Sequence, residues 1–228
     1  IKDGFWIVSD YMNPVDDAKE NKYSQYWHME PEANISIDGQ YELQPGETVQ
    51  WTHSDFADVD KQIENTQYVP GTGTGAFMSN FVGKANIQVV PADINSVEPK
   101  LCYGYYTSGS SVPYGRFDKY AVGTTKFDTI LFPTKANEVY SVVPTPAEIT
   151  GLTEDAEDGS ASAFTAEITA EEAATDEDYK INYMILHEPD KKAGDELAFA
   201  NLTTDGDLAY YEVSGTEKTP TPRQLIFH

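Results

Sequence analysis

The chain is poor in the residues that most often betray chemistry. It has one cysteine, Cys102, among 228 residues, so no intramolecular disulfide can form. Cys102 stands in Leu101-Cys102-Tyr103, a strand-like run where a thiol behaves as a small buried hydrophobe. The four histidines are His28, His53, His187 and His228; none pairs at i, i+2 or i, i+4, and no cysteine cluster accompanies them. Zinc-ligand spacing is therefore missing, and neither a metal nor a cofactor is expected. No Gly-x-Ser-x-Gly turn and no nucleophilic cysteine context appears, so no catalytic residue is assigned. Basic residues are scarce as well: 15 against 38 acidic ones leave a formal charge of −23. That field repels a phosphate backbone and excludes nucleic acid as a partner. It also repels a sulfated or uronate polymer at long range. No apolar run has transmembrane length and no basic segment precedes an apolar one, so no membrane partner is expected.

What is abundant is aromatic and strand-forming. Fifteen Tyr, ten Phe and three Trp suit pleated, half-buried surfaces, and 39% hydrophobic residues exclude general disorder. Phe5-Trp6-Ile7-Val8 is continuously apolar and predicts a strand covered on both faces. Asn13-Pro14-Val15-Asp16-Asp17 supplies turn chemistry. The return run from Tyr23 to Met29 alternates, with Tyr23, Gln25 and Trp27 on one face and Ser24, Tyr26 and His28 on the other. Further strands are predicted at 34–37, 41–43, 49–51, 77–82, 85–90, 100–106, 127–132 and 140–143, the last two stopped by Pro133 and Pro144. Gly109 to Gly115 is predicted as a Ser/Gly/Pro loop.

Gly71-Thr72-Gly73-Thr74-Gly75 invites a phosphate-loop reading, but a strand-like run follows it and no Lys-Ser/Thr completes it, so a surface turn is expected. Past Pro146 the composition turns acidic and small, and 167–178 reads as a solvated connection with at most one helical turn. Strands resume at 161–168, 179–186, 196–199, 208–213 and 224–227. Turn signals every ten to fifteen residues without a long helical pattern are the signature of a sandwich. The expected fold is all-β, an antiparallel β-sandwich over 1–146 with a smaller C-terminal sheet over 147–228 packed on it.

The strand Phe5-Trp6-Ile7-Val8-Ser9-Asp10, the run Lys22-Tyr23-Ser24-Gln25-Tyr26-Trp27-His28-Met29, and later Lys84-Ala85-Asn86-Ile87-Gln88-Val89, Thr124 to Pro133 and Thr203 to Ala209 resemble, in order, the C-terminal β-sandwich region of heparinase II/III-like polysaccharide lyases. The resemblance covers most of residues 5 to 213 and lies in strand patterns rather than in a catalytic signature. It implies a non-catalytic portion walling the cleft of an enzyme that cleaves uronate-containing glycans by β-elimination. It further implies an N-terminal helical toroid as partner, an acidic polysaccharide as the parent's ligand, and a periplasmic or extracellular location. The family's catalytic Asn, His and Tyr lie in that toroid, and its metal-binding His-x-His segment has no counterpart here. The chain enters its first strand directly from Ile1, as an excised fragment would, which predicts an exposed apolar patch and weak homodimerisation. A stand-alone carbohydrate-binding or surface-adhesion module is the other reading.

Four residues are candidates for contact with a glycan. Trp27 and His28 place an indole and an imidazole side by side, although a strand histidine is as readily a hydrogen-bonded edge residue. Tyr105 joins Trp6, Trp27, Trp51 and Tyr106 among rings that stack on sugars or fill the core. Arg116, read as a loop residue, suits a carboxylate bidentately or pins its own loop to a surface acid.

Overall fold

The computed structural model describes residues 5–29, 35–37, 41–43, 75–107, 110–136, 140–152, 161–170, 178–186, 196–215 and 221–227. The expected strand at 49–51, His53 and all but the last residue of the Gly71–Gly75 run lie outside these. The fold is all-β and antiparallel, with no α-helix among the described residues. Contacts divide the chain into two compact units, one of Ile1–Ile7, Lys22–Tyr120 and Thr129–Asn137, the other of Val8–Asn21, Ala121–Asp128 and Glu138–His228.

The strands in chain order are β1 (Trp6–Met12), β2 (Glu20–His28), β3 (Ile35–Ile37), β4 (Tyr41–Leu43), β5 (Phe77–Ser79), β6 (Asn86–Pro91), β7 (Glu98–Thr107), β8 (Ser110–Val122) and β9 (Thr125–Thr134). They form a six-stranded sheet ordered β1-β9-β6-β5-β3-β4 and a three-stranded sheet ordered β2-β8-β7. In the first unit the two sheets meet face to face. Phe77 of β5 stacks on Phe117 of β8 at 4.6 Å between ring centroids, in a core with Ile35, Ile37, Val89 and Leu101. Gly115 of β8 is needed there, because any Cβ would overlap the Phe77 ring. The β5–β6 connection is fixed by one side chain: Asn86 Oδ1 accepts from the Phe81 amide (2.7 Å) and from Ser79 Oγ (3.0 Å), and its Nδ2 donates to the Phe81 carbonyl (3.1 Å).

The remaining strands are β10 (Tyr140–Ala147), β11 (Ile149–Thr150), β12 (Ala161–Ala170), β13 (Asp178–Leu186), β14 (Leu197–Phe199), β15 (Leu202–Thr204), β16 (Leu208–Gly215) and β17 (Thr221–Phe227). A five-stranded sheet ordered β10-β12-β13-β16-β17 faces a three-stranded sheet ordered β11-β14-β15. Ala163, Met184 and Ala209, aligned across β12, β13 and β16, pack against Leu197 and Phe199 of β14. On the other face of the larger sheet, Phe164 tilts against Tyr183 at 5.2 Å.

Three expectations are corrected. Of the predicted loop at Gly109–Gly115, residues 110–115 are the start of β8, a 13-residue central strand in which Gly115 serves close packing rather than a turn, and Gly109 lies outside the described residues. Trp6 is 51% exposed, not buried, because β1 is the terminal strand of its sheet and is not covered on both faces. Strand β10 runs through Pro144 and Pro146 instead of stopping at Val143. It is the terminal strand of its sheet, and prolines two apart place their missing donors on one side, where a terminal strand has no neighbour. Phe127, at the start of the predicted 127–132 strand, is 2% exposed.

Candidate functional site

The sheet β2-β8-β7 carries the candidate residues, and its period of two sorts them onto opposite faces. Gln25 and Trp27 lie on the core side with Gly115 and Phe117. Trp27, half-buried, donates from Nε1 to Gln25 Oε1 at 3.0 Å, and the same oxygen accepts from Thr129 Oγ1 at 2.9 Å. On the opposite face the strands align Ser24, Tyr26 and His28 of β2 with Tyr114, Arg116 and Asp118 of β8 and with Glu98, Lys100 and Cys102 of β7. The register is fixed by the pairs Cys102–Tyr114, Lys100–Arg116 and Glu98–Asp118, and by the Met29 amide donating to the Pro113 carbonyl at 3.3 Å.

That face has two rows. The first is ionic. Asp118 is 0% exposed, and its Oδ2 lies 2.9 Å from Arg116 Nη2, 2.9 Å from Lys100 Nζ and 3.4 Å from Lys22 Nζ. Ser24 Oγ donates to Asp118 Oδ1 at 2.6 Å, and Glu98 sits 3.6 Å from Lys100 Nζ. Burial alone would raise the Asp118 carboxyl. The Ser24 hydroxyl, the Lys100 ammonium and the Arg116 guanidinium outweigh it and hold the group below its ordinary value. Arg116 is fully buried and bonded to Asp118, so it is a strand residue in an internal ion pair, not a loop residue turned toward solvent.

The second row is aromatic. Tyr26 and His28, both exposed, stand with ring centroids 6.3 Å apart and planes 16° apart. Beneath them Tyr114, 2% exposed, lies 5.1 Å from the His28 ring and 5.8 Å from the Tyr26 ring. Burial, reinforced by the Cys102 thiol, pushes the Tyr114 phenol up and keeps it neutral. Burial also lowers the His28 imidazole, so it is uncharged at neutral pH. The row is thus two nearly parallel rings on a buried aromatic base, a surface suited to stacking against the apolar face of a flat polar molecule.

Trp27 and His28 are adjacent in sequence yet occupy opposite faces, so they do not form one platform. Tyr105 lies in β7 beside a register shift, opposite Ser111, and its side chain falls outside the described residues, as do those of Trp51, Tyr106, His187 and His228. The residues missed as site members are Tyr114 and the Lys22–Lys100–Asp118 group. The signal for Tyr114 was the alternation Tyr114-x-Arg116-x-Asp118, hidden by a Ser/Gly/Pro composition that reads as a loop. Among the described residues no group of three metal-binding side chains comes together, and no helix is long and apolar enough to cross a membrane.

No known protein family matches the chain, and neither a curated protein nor a solved structure is found similar to it.

Proposed function

We propose that the chain is a non-catalytic β-sandwich that contacts a polysaccharide through the Tyr26–His28 face of the β2-β8-β7 sheet. The observation that carries this reading is the pair of exposed, near-parallel rings backed by buried Tyr114. Sugar rings bind proteins by laying axial C–H bonds on such faces while hydroxyls remain in water. The resemblance to the sandwich region of heparinase II/III-like lyases gives the reading its context: the face would line the cleft beside a helical catalytic domain, in the periplasm or outside the cell. Homodimerisation would be weak. The stand-alone binding or adhesion module is the second reading, favoured by the fact that each unit closes its own two-sheet core. The gene sequence upstream separates them, since the lyase reading requires a helical domain and a His-x-His segment there. Contact itself is tested by probing the chain against arrayed neutral and acidic oligosaccharides; retention that is lost in Tyr26→Ala supports it, and no retention of any glycan rejects it.

A further inference from the structure

We propose that the Tyr26–His28 face takes an uncharged sugar unit and releases it when His28 gains a proton. The proposal rests on the carbohydrate-contact reading above and narrows both its ligand and its regulation. The geometry supplies the first half. The described side chains around His28 in the aromatic row include no carboxylate, ammonium or guanidinium: they are Tyr26 on the same strand, Tyr114 on β8 and Cys102 on β7. The cations on this face, Lys22, Lys100 and Arg116, lie in the other row and converge on Asp118, with Glu98 beside Lys100. Lys100 and Arg116 lie 2.9 Å and Lys22 3.4 Å from the Asp118 carboxylate, which offsets their charge, while the Arg116 guanidinium is also felt at the Tyr114 phenol. Around this face the chain carries a net charge of −23, which opposes the approach of a polyanion. An uncharged sugar meets neither obstacle.

The second half follows from the chemistry of the imidazole. A neutral ring presents an electron-rich face to the partly positive C–H bonds of a sugar. An imidazolium presents a positive face to the same bonds and repels them. It is also drawn toward the electron-rich faces of Tyr114, 5.1 Å away, and Tyr26, 6.3 Å away. Protonation therefore removes one of the two stacking surfaces. Partial burial favours the neutral ring, so the switch lies on the acid side of an ordinary histidine. For an anionic sugar the sign reverses, because the proton would add an attractive charge.

The test uses the full chain on arrayed neutral hexasaccharides and oligo-uronates between pH 7.5 and 4.5, alongside His28→Phe, which keeps an aromatic face without a titrating group. Neutral-glycan affinity of the wild type should fall roughly 2- to 10-fold on acidification, the factor set by losing one aromatic contact. In His28→Phe it should stay flat. Linkage gives a second readout: by histidine NMR, His28 should titrate at lower pH with the neutral hexasaccharide bound than without it. A wild-type affinity that is constant or rises toward acid overturns the proposal. So do an unaltered fall in His28→Phe, an unshifted His28 titration in the complex, and preferential retention of oligo-uronates that strengthens with acid; each of these leaves carbohydrate contact standing. Retention of no glycan at either pH removes the contact reading and this proposal together.

Discussion

Asp118 shows how a single buried carboxylate can order one face of a sheet. Four side chains from three strands reach it, and with Arg116 it forms a pair closed to solvent on both sides. Removing the carboxylate leaves three cations converging on one another, Arg116 among them fully buried, so Asp118→Ala should destabilise the fold by about 3–5 kcal/mol, measured by denaturant unfolding. The carboxyl is held below its unfolded value, so its stabilisation is present at neutral pH. That stabilisation is lost as pH falls from about 4 through the folded value. The melting temperature should drop over that window, and the drop should be shallower in Asp118→Asn, measured from that variant's own neutral-pH value. At the other end of the chain, Ala200 occupies the left-handed region with φ of 48° in the two-residue turn between Phe199 and Leu202. A Cβ is strained there, whereas glycine is not but adds unfolded-state entropy; Ala200→Gly should stabilise by roughly 0.5–1 kcal/mol.

At the scale of elements, β8 is the strand on which the first unit depends. Its core side needs Gly115 to admit the Phe77 ring, so Gly115→Ala should cost about 1–3 kcal/mol by overpacking, with part of the loss recovered when Phe77 is also cut to Leu. Phe127, in β9, is buried on a terminal part of its strand, and Phe127→Ala should cost roughly 3–5 kcal/mol. β9 was legible because Thr125 to Thr134 is dense in aromatic and β-branched residues. The facing of β2 was legible too, since Tyr23 to His28 alternates cleanly. β8 was not, because Ser110-Ser111-Val112-Pro113-Tyr114-Gly115 has the composition of a turn, and only tertiary packing makes a strand of it. The exposure of Trp6 was hidden for a related reason: an apolar run predicts a strand, but its place in the sheet decides what covers it, and β1 is terminal. Local alternation thus revealed His28 and its orientation, while the ring beneath it, Tyr114, lies some 86 residues away and only strand pairing brings it there.

For the whole molecule the charge of −23 and the composition set the terms. With no catalytic residue assigned to this chain, incubation with heparan sulfate, alginate or hyaluronan should give no rise in the absorbance of unsaturated uronate ends. A rise that persists after repurification would show a catalytic centre that the candidate face does not contain. Sugar binding by the exposed aromatic row is decided by quantitative binding of the best array ligand to the wild type, Tyr26→Ala and Tyr120→Ala. Tyr120 is exposed like Tyr26 but is not part of the aromatic row. Affinity should fall roughly 2- to 10-fold in Tyr26→Ala, as loss of one aromatic contact requires, and remain unchanged in Tyr120→Ala. Equal affinity in all three proteins would show that the aromatic row does not bind the sugar.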